Sequence, residues 1–448
     1  MTTTATPHPV RSAIRAAFDR LAAHEGFRRY FSNTLWMFSE QILRMIAGVL
    51  VGIWVARYLG PGQFGLFSYA VAFVSIFGTI AKLGLDGIVV RDLVHEPEKR
   101  DLYLGTAFWL KLIGAILALG AVAIATLFSH NDRTTNLYIF IVAAGMILQS
   151  FEVIDFYFQS KVLSKFVSIC KITQLLLSSM LKLYFILTGA ALFWFVLVSL
   201  VDQLMLAVTL AIAYRWQKIG GFYGRFDFTI AKRLLRDGWP LIFSGLVIAI
   251  YMRIDQIMIK EMLGQKEVGL FSAAVRLSEV WYFIPLIITN SLFPAIVSAK
   301  KAGEAVYYAR LQKLYSFMAW MAVAIALPMT FLSDRLVTLL YGEAYRAAGR
   351  VLMIHIWAGV FVFLGVASAK WFLSENLQKL AIVNSVVGAA ANILLNYLLI
   401  PRYGIVGAAV ATVVSQAIAS YFMNLAFRAT RNNFVRMSTA IFRKPELL

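Results

Sequence analysis

Twelve ionisable side chains sit deep inside long apolar stretches of this sequence: Glu40 and Arg44, Lys111, Glu152 and Asp155, Lys171 and Lys182, Asp202, Arg253 and Asp255, Arg276 and Glu279. On a helix facing lipid each would cost roughly 2.5–3.5 kcal/mol, so all of them together would cost about 30 kcal/mol or more. That is several times the stability of an ordinary domain. They must therefore line a wet interior or pair with one another. Glu40/Arg44 and Arg276/Glu279 have the spacing to pair on one helical face. Glu152 and Asp155 are close enough for one to hold a proton, and Lys171 and Lys182 fall on one face three turns apart. Six bases balance six acids, so self-pairing could absorb most of them. The alternative is a polar cavity in which Arg44, Lys111, Lys171, Lys182, Arg253 and Arg276 receive an anionic group such as a phosphate, pyrophosphate or sugar acid. Glu40, Glu152, Asp155, Asp202, Asp255 and Glu279 would then be paired acids or carriers of a coupling H⁺ or Na⁺.

Holding such residues requires helices that cross a bilayer. The 448-residue chain is 60% hydrophobic and only 15% charged, far from the balance of a soluble globule. Runs such as AFWLKLIGAILALGAVAIATLF belong to segments that can cross about 30 Å of hydrocarbon as helix, and they lack the alternation of barrel strands. Hydropathy windows place twelve spans near 33–57, 64–84, 102–128, 136–158, 165–187, 191–214, 238–262, 270–297, 310–332, 349–373, 378–400 and 404–427. The first starts too late for a cleaved signal peptide. Most of the 42 Lys and Arg residues fall on one side of the membrane, before the first span, in 215–237 and after 427 among other places. The positive-inside rule then makes both termini cytoplasmic and the protein a multi-pass component of the cytoplasmic (inner) membrane. The formal charge of +19 reflects this topology and attraction to membrane lipid headgroups, not nucleic acid. Cys170 is the single cysteine and the five histidines do not cluster, so disulfides, CxxC chemistry and a metal site are not expected.

Residues 1–32 read as a basic segment, either an interfacial helix or a disordered tail. The glycine-bearing loop 215–237 separates two six-span lobes, 33–214 and 238–427, and 428–448 follow as a cytoplasmic tail. YLGPGQFGLFSYAV at 58–71 and MLGQKEVGLFSAAV at 262–275 agree at eight of fourteen positions. Each is the hairpin between the first two spans of its lobe. An even number of spans per lobe makes this a parallel repeat about an axis along the membrane normal. The expected fold is thus all-α, with about twelve transmembrane helices in two related lobes. Such folds hold substrate between the repeats and alternate access by rocking. Pro285, Pro294 and Pro328 mark kinks or hinges. Asn384, Gly388, Asn392 and Asn396 form a polar stripe on span eleven, either packing glue or part of a path. There is no GxxxxGK[ST], no channel-filter motif, and no large outer loop with a catalytic acid pair. No cofactor and no enzymatic chemistry are expected.

The stretch WVARYLGPGQFGLFSYAVAFVSIFGTIAKLGLDGIVVRDLV resembles the N-terminal signature of the polysaccharide transporter (Wzx-type flippase) family, through Ala56, Arg57, Leu59, Gly60, Pro61, Phe64, Gly65, Gly84 and Arg91. GWPLIFSGLVIAIYMRIDQIMIKEMLGQKEVGLFSAAV is similar to that family's seventh and eighth helices, and LLIPRYGIVGAAVATVVSQ to its last hairpin. The resemblance implies the multidrug/oligosaccharidyl-lipid/polysaccharide exporter fold. It implies flipping of a polyprenyl-pyrophosphate-linked oligosaccharide, driven by H⁺ or Na⁺, for surface polysaccharides such as O-antigen or exopolysaccharide, alongside polymerase machinery. The competing readings are a multidrug or organic-cation antiporter and, from another class, a membrane glycosyltransferase or polymerase.

Overall fold

The computed structural model describes residues 25–217 and 220–442. The basic segment before residue 25 and the last residues of the tail, 443–448, lie outside the described residues. All regular structure among the described residues is helical. The N-terminal half contains α1 (Glu25–Lys82), α2 (Asp86–His95), α3 (Arg100–Leu127), α4 (Arg133–Leu148), α5 (Val153–Ser160), α6 (Ser164–Leu187) and α7 (Leu192–Trp216). The C-terminal half contains α8 (Phe228–Leu263), α9 (Gln265–Glu279), α10 (Phe283–Ala302), α11 (Glu304–Tyr341), α12 (Ala348–His355), α13 (Ala358–Ser374), α14 (Gln378–Ser420) and α15 (Arg431–Phe442).

Among the described residues ten helical segments are long and apolar enough to cross a membrane, and two of them cross twice. Within α1 the backbone leaves helical geometry at Gly60 (φ 69°, ψ 169°). Arg44 and Ser75, on either side of that glycine, line one cavity, whereas in an unbroken helix they would lie about 46 Å apart. The chain therefore doubles back, and Pro61 restarts the helix with the fixed φ that suits a first turn. Gly404 (φ 60°, ψ −143°) folds α14 in the same way. Across that bend Asn392 Nδ2 donates to Ser415 Oγ at 3.3 Å. The total is twelve crossings, the number the hydropathy windows give.

The repeated hairpins of the two halves meet. Gly264 (φ 98°) takes the positive φ of its counterpart Gly60, a region that favours glycine. One turn further on, a Cβ on Gly65 would lie 1.8 Å from Gln265 O, and a Cβ on Gly269 would lie 1.9 Å from Pro61 O. Each glycine is thus required by the backbone of the opposite hairpin, and the pair forms a seam at the hairpin face. It is a small-residue helix crossing of the kind membrane interiors favour.

At the other, linker face the two halves are tied differently. The segment expected as a loop over 215–237 is docked: a Cβ on Gly105 of α3 would lie 2.0 Å from Arg225 O. Trp109 Nε1 donates to Tyr223 O at 2.8 Å, and Thr106 Oγ1 accepts from Asp227 N at 3.0 Å. Asp227 caps α8 by accepting from Ile230 N at 2.9 Å, so that helix starts ten residues before the expected span. Its first turns join the N-terminal lobe, with Ile230, Ala231 and Leu234 buried among Leu83, Val89, Tyr103 and Ala107. Arg233 reaches Asp92 at 3.3 Å, Glu96 at 3.4 Å and the Tyr103 hydroxyl. Lys99, hydrogen-bonded to Glu96, and then Arg233 hold that carboxyl below its usual range. The share of the clasp that Glu96 contributes is therefore complete at neutral pH and is lost as the pH falls through its depressed pKa. The segment expected as a tail also departs from that reading. Met437 and Ala440 of α15 are buried in the C-terminal lobe's core, and Asn433 bonds Tyr315 and Ser368.

Replacing Gly269 by Val forces the Pro61 backbone out of the seam. We expect a loss of about 2 kcal/mol or more, the size of a severe overpacking, read as a lower Tm of the purified protein in detergent. An unchanged Tm would contradict the seam.

Candidate functional site

Between the lobes lies a cavity of 480 Å³ whose wall includes Arg44, Gly48, Phe64, Ser68, Ser75, Arg253, Gln256, Ser272, Arg276 and Glu279. The two arms of α1 supply one side, and α8 with α9 the other. Three guanidinium groups converge here. Arg44 Nε is 2.7 Å from Glu40 Oε1, one turn away on the same arm. Arg253 Nη1 is 3.4 Å from Glu279 Oε2. Arg276 has no ion pair among the described residues. Its guanidinium stands 5.6 Å over the Phe64 ring, and a Cβ on Gly52 would lie 2.2 Å from its Nη1. A glycine on α1 thus makes room for an arginine from the opposite lobe. Three cations face two carboxylates, so the cavity carries a surplus of positive charge.

The remaining expected cations are elsewhere. Lys111 pairs with Glu152 at 3.0 Å, Lys171 with Asp155 at 3.0 Å and Lys182 with Asp202 at 3.2 Å, all inside the N-terminal lobe. Lys111 is 1% exposed and lies 5.1 Å over the Phe156 ring. These three lysines do not line the central cavity: each neutralises an acid where burial leaves a single charge costly. Two expectations are corrected by the same geometry. Glu152 and Asp155 do not face one another, because each faces its own lysine. Arg276 and Glu279 do not pair despite their spacing, because Arg253 from the neighbouring helix takes the carboxylate.

Behind Glu279 is a second, small chamber lined by Tyr251, Asp255, Tyr282, His355, Thr412 and Gln416. At 10 Å³ it has room for about one water molecule. Asp255 is 4% exposed and is held by neutral donors alone: Thr412 Oγ1 donates at 2.6 Å and Asn396 Nδ2 also donates. Asn392 Oδ1 accepts from Asn396 Nδ2 at 3.1 Å and so extends the network. Two members of the polar stripe on span eleven, Asn392 and Asn396, therefore belong to the cradle of this carboxylate, whereas at Gly388 a Cβ would lie 2.5 Å from Ala419 Cβ and the two arms of α14 pack closely. Glu279 lines both chambers. Thr412, Tyr251, His355 and Gln256 were not legible as site residues, since isolated polar side chains in apolar spans give no spacing signal. The asparagine stripe was the one clue.

A lysine pair of the N-terminal lobe is separable from the cavity. Lys111→Met strands Glu152 and should lower stability by about 3–5 kcal/mol, whereas Lys111→Met combined with Glu152→Met should recover most of it. Thermal unfolding of the purified variants in detergent reads both. A double variant no more stable than the single one would place Lys111 outside a simple pair.

Residues 31–300 match the family model described as "Polysaccharide biosynthesis protein", and residues 240–398 match the MatE model. Among similar proteins is the "Probable flippase AglR" of Haloferax volcanii, 24% identical over 86% of this chain and 80% of that protein. Another is the "Capsular polysaccharide biosynthesis protein CapF" of Staphylococcus aureus, 20% identical over 87% and 98%. Among solved structures, an inward-facing multidrug resistance transporter of the MATE family superposes with a TM-score of 0.68 at 16% identity, over 88% of this chain and 96% of that one. The "Lipid II flippase MurJ, inward closed conformation" superposes with a TM-score of 0.67 at 14% identity, over 90% of each. At such identities the solved structures speak for the fold.

Proposed function

Because the chain belongs to the polysaccharide biosynthesis protein family, we propose that it is a flippase carrying a polyprenyl-pyrophosphate-linked oligosaccharide across the cytoplasmic membrane. The observation that carries the reading is the convergence of Arg44, Arg253 and Arg276 on one cavity between the lobes, with two carboxylates against three cations. A pyrophosphate offers several acceptor oxygens to forked guanidinium donors. Arg276, with no carboxylate to displace, engages it first. Arg253 follows as Glu279 yields. Both termini face the cytoplasm, so the glycine seam closes the outer side while substrate loads from the inner leaflet.

Asp255 is the coupling site in this reading, for H⁺ or Na⁺. A cation arriving beside it reduces the negative potential at Glu279, which lines the same chamber. In a low-dielectric interior such an effect is strong at short range. Cation binding behind Glu279 and anion binding in front of it then communicate through one side chain. Lys111, Lys171, Lys182, Glu152, Asp155 and Asp202 stay structural. The match to the MatE model favours a second reading, export of an organic cation. That substrate would need unpaired acids in the cavity, where the surplus is basic.

In proteoliposomes loaded with lipid-linked oligosaccharide, Arg253→Ala and Arg276→Ala should each slow flipping at least about tenfold, the loss of one charge-assisted contact, with the protein still in the membrane. Asp255→Asn should leave substrate binding intact and remove the response of flipping to an imposed ion gradient. Wild-type flipping by both arginine variants would sink the cavity assignment.

A further inference from the structure

On the outside of the C-terminal lobe, away from the central cavity, α10 and α11 frame a groove of 360 Å³ lined by Leu292, Ala295, Ile296, Arg310, Lys313, Leu314 and Phe317. Its composition is graded along the helices. Arg310 and Lys313 lie near the start of α11, which begins at Glu304, about 9 and 14 Å along that helix. Phe317 lies about 20 Å along. The groove thus has two cations toward the linker face and an apolar wall toward the middle of the bilayer. Leu292 and Phe317 are 42% and 39% exposed, so the wall is open to what surrounds it.

The cations are held in place without being neutralised. Arg310 Nη1 donates to Ala295 O at 2.9 Å, which draws the guanidinium across the groove and leaves its other donors free. Among the described residues neither Arg310 nor Lys313 has a carboxylate within ion-pair distance, whereas Lys300 at the same end of the lobe is paired with Glu375 at 2.9 Å. Simple snorkelling of a long side chain to the interface explains their depth. It does not explain an arginine bent back over an apolar cleft onto the neighbouring helix.

We propose that this groove is a binding site for one anionic phospholipid, its phosphate between Arg310 and Lys313 and an acyl chain along Leu292, Ile296 and Phe317. Charge complementarity and an apolar wall at membrane depth fit one amphiphile. A free phosphate would leave the wall bare. With the orientation proposed above the lipid belongs to the cytoplasmic leaflet, where anionic headgroups attract basic residues. Binding itself is independent of that orientation and of the flippase reading, because a bilayer of symmetric composition presents the lipid from both sides.

The test is native mass spectrometry of the purified full chain released from nanodiscs of phosphatidylcholine with a minor share of phosphatidylglycerol. The wild type should retain one phosphatidylglycerol, and Arg310→Gln with Lys313→Gln should weaken that retention about tenfold or more, since each basic residue near a headgroup contributes substantially. Leu292→Trp, which fills the wall and leaves both charges, should also displace the lipid. Both variants alter exposed positions, and an unchanged Tm in pure phosphatidylcholine will show that they fold. Equal retention of phosphatidylglycerol by wild type and the double variant would overturn the site. So would displacement of the lipid by millimolar inorganic phosphate, or a second copy of the chain bound in its place.

Discussion

A charge taken out of water must find a partner or a wet wall, and this requirement sorts the interior of the molecule. In the N-terminal lobe it is met three times over by lysine–carboxylate pairs within hydrogen-bond reach. In the C-terminal lobe it is met once without any cation, by the hydroxyl and amide groups around Asp255. Between the lobes the balance is left unsettled, and in that cavity the Arg276 guanidinium stands without a carboxylate among the described residues. The location of the surplus matters more than its size. A single uncompensated cation in a water-filled space is cheap to maintain, yet it is the natural docking point for an anion.

The lobes are joined by two kinds of contact with different mechanical character. At the hairpin face, backbone meets backbone through Gly65 and Gly269 with no side chain between them. Such a seam is short-range and directional: it is made or broken within a small displacement. At the linker face, α8 is shared. Its first turns are clasped to α2 and α3 by Arg233 and by apolar packing, while its later turns carry Arg253 and Asp255 into the other lobe. The alternating access proposed for this fold would therefore have to be absorbed within α8, where Pro240 already lacks a backbone donor.

The crossings were legible in the sequence because apolar length and hairpin glycines are local signals, and so was the duplication, through Gly60, Gly65, Gly264 and Gly269. The docked linker and the helix at Arg431–Phe442 were less so, since charge and glycine content read as slack chain until their tertiary partners are known. The cavity was half legible. Burying a charge in an apolar run announces that it matters, but whether it pairs depends on which helix lies alongside. Spacing put Glu279 with Arg276, and packing gave it to Arg253. Thr412 left no trace, because a threonine in a membrane helix ordinarily bonds its own backbone, and this one too has Oγ1 3.0 Å from Ala408 O, within reach of the same hydroxyl proton.

The glycine seam has one more property. Gly65 meets Gln265 while Gly269 meets Pro61, and each of these residues stands 204 positions from its counterpart in the other half. Residue i touches j, and the copy of i touches the copy of j. That reciprocity is the signature of an isologous interface in a two-fold dimer, here carried within a single polypeptide. A six-crossing chain with one such hairpin would meet its own twin through the same glycine, so the seam has the geometry of a homodimer contact.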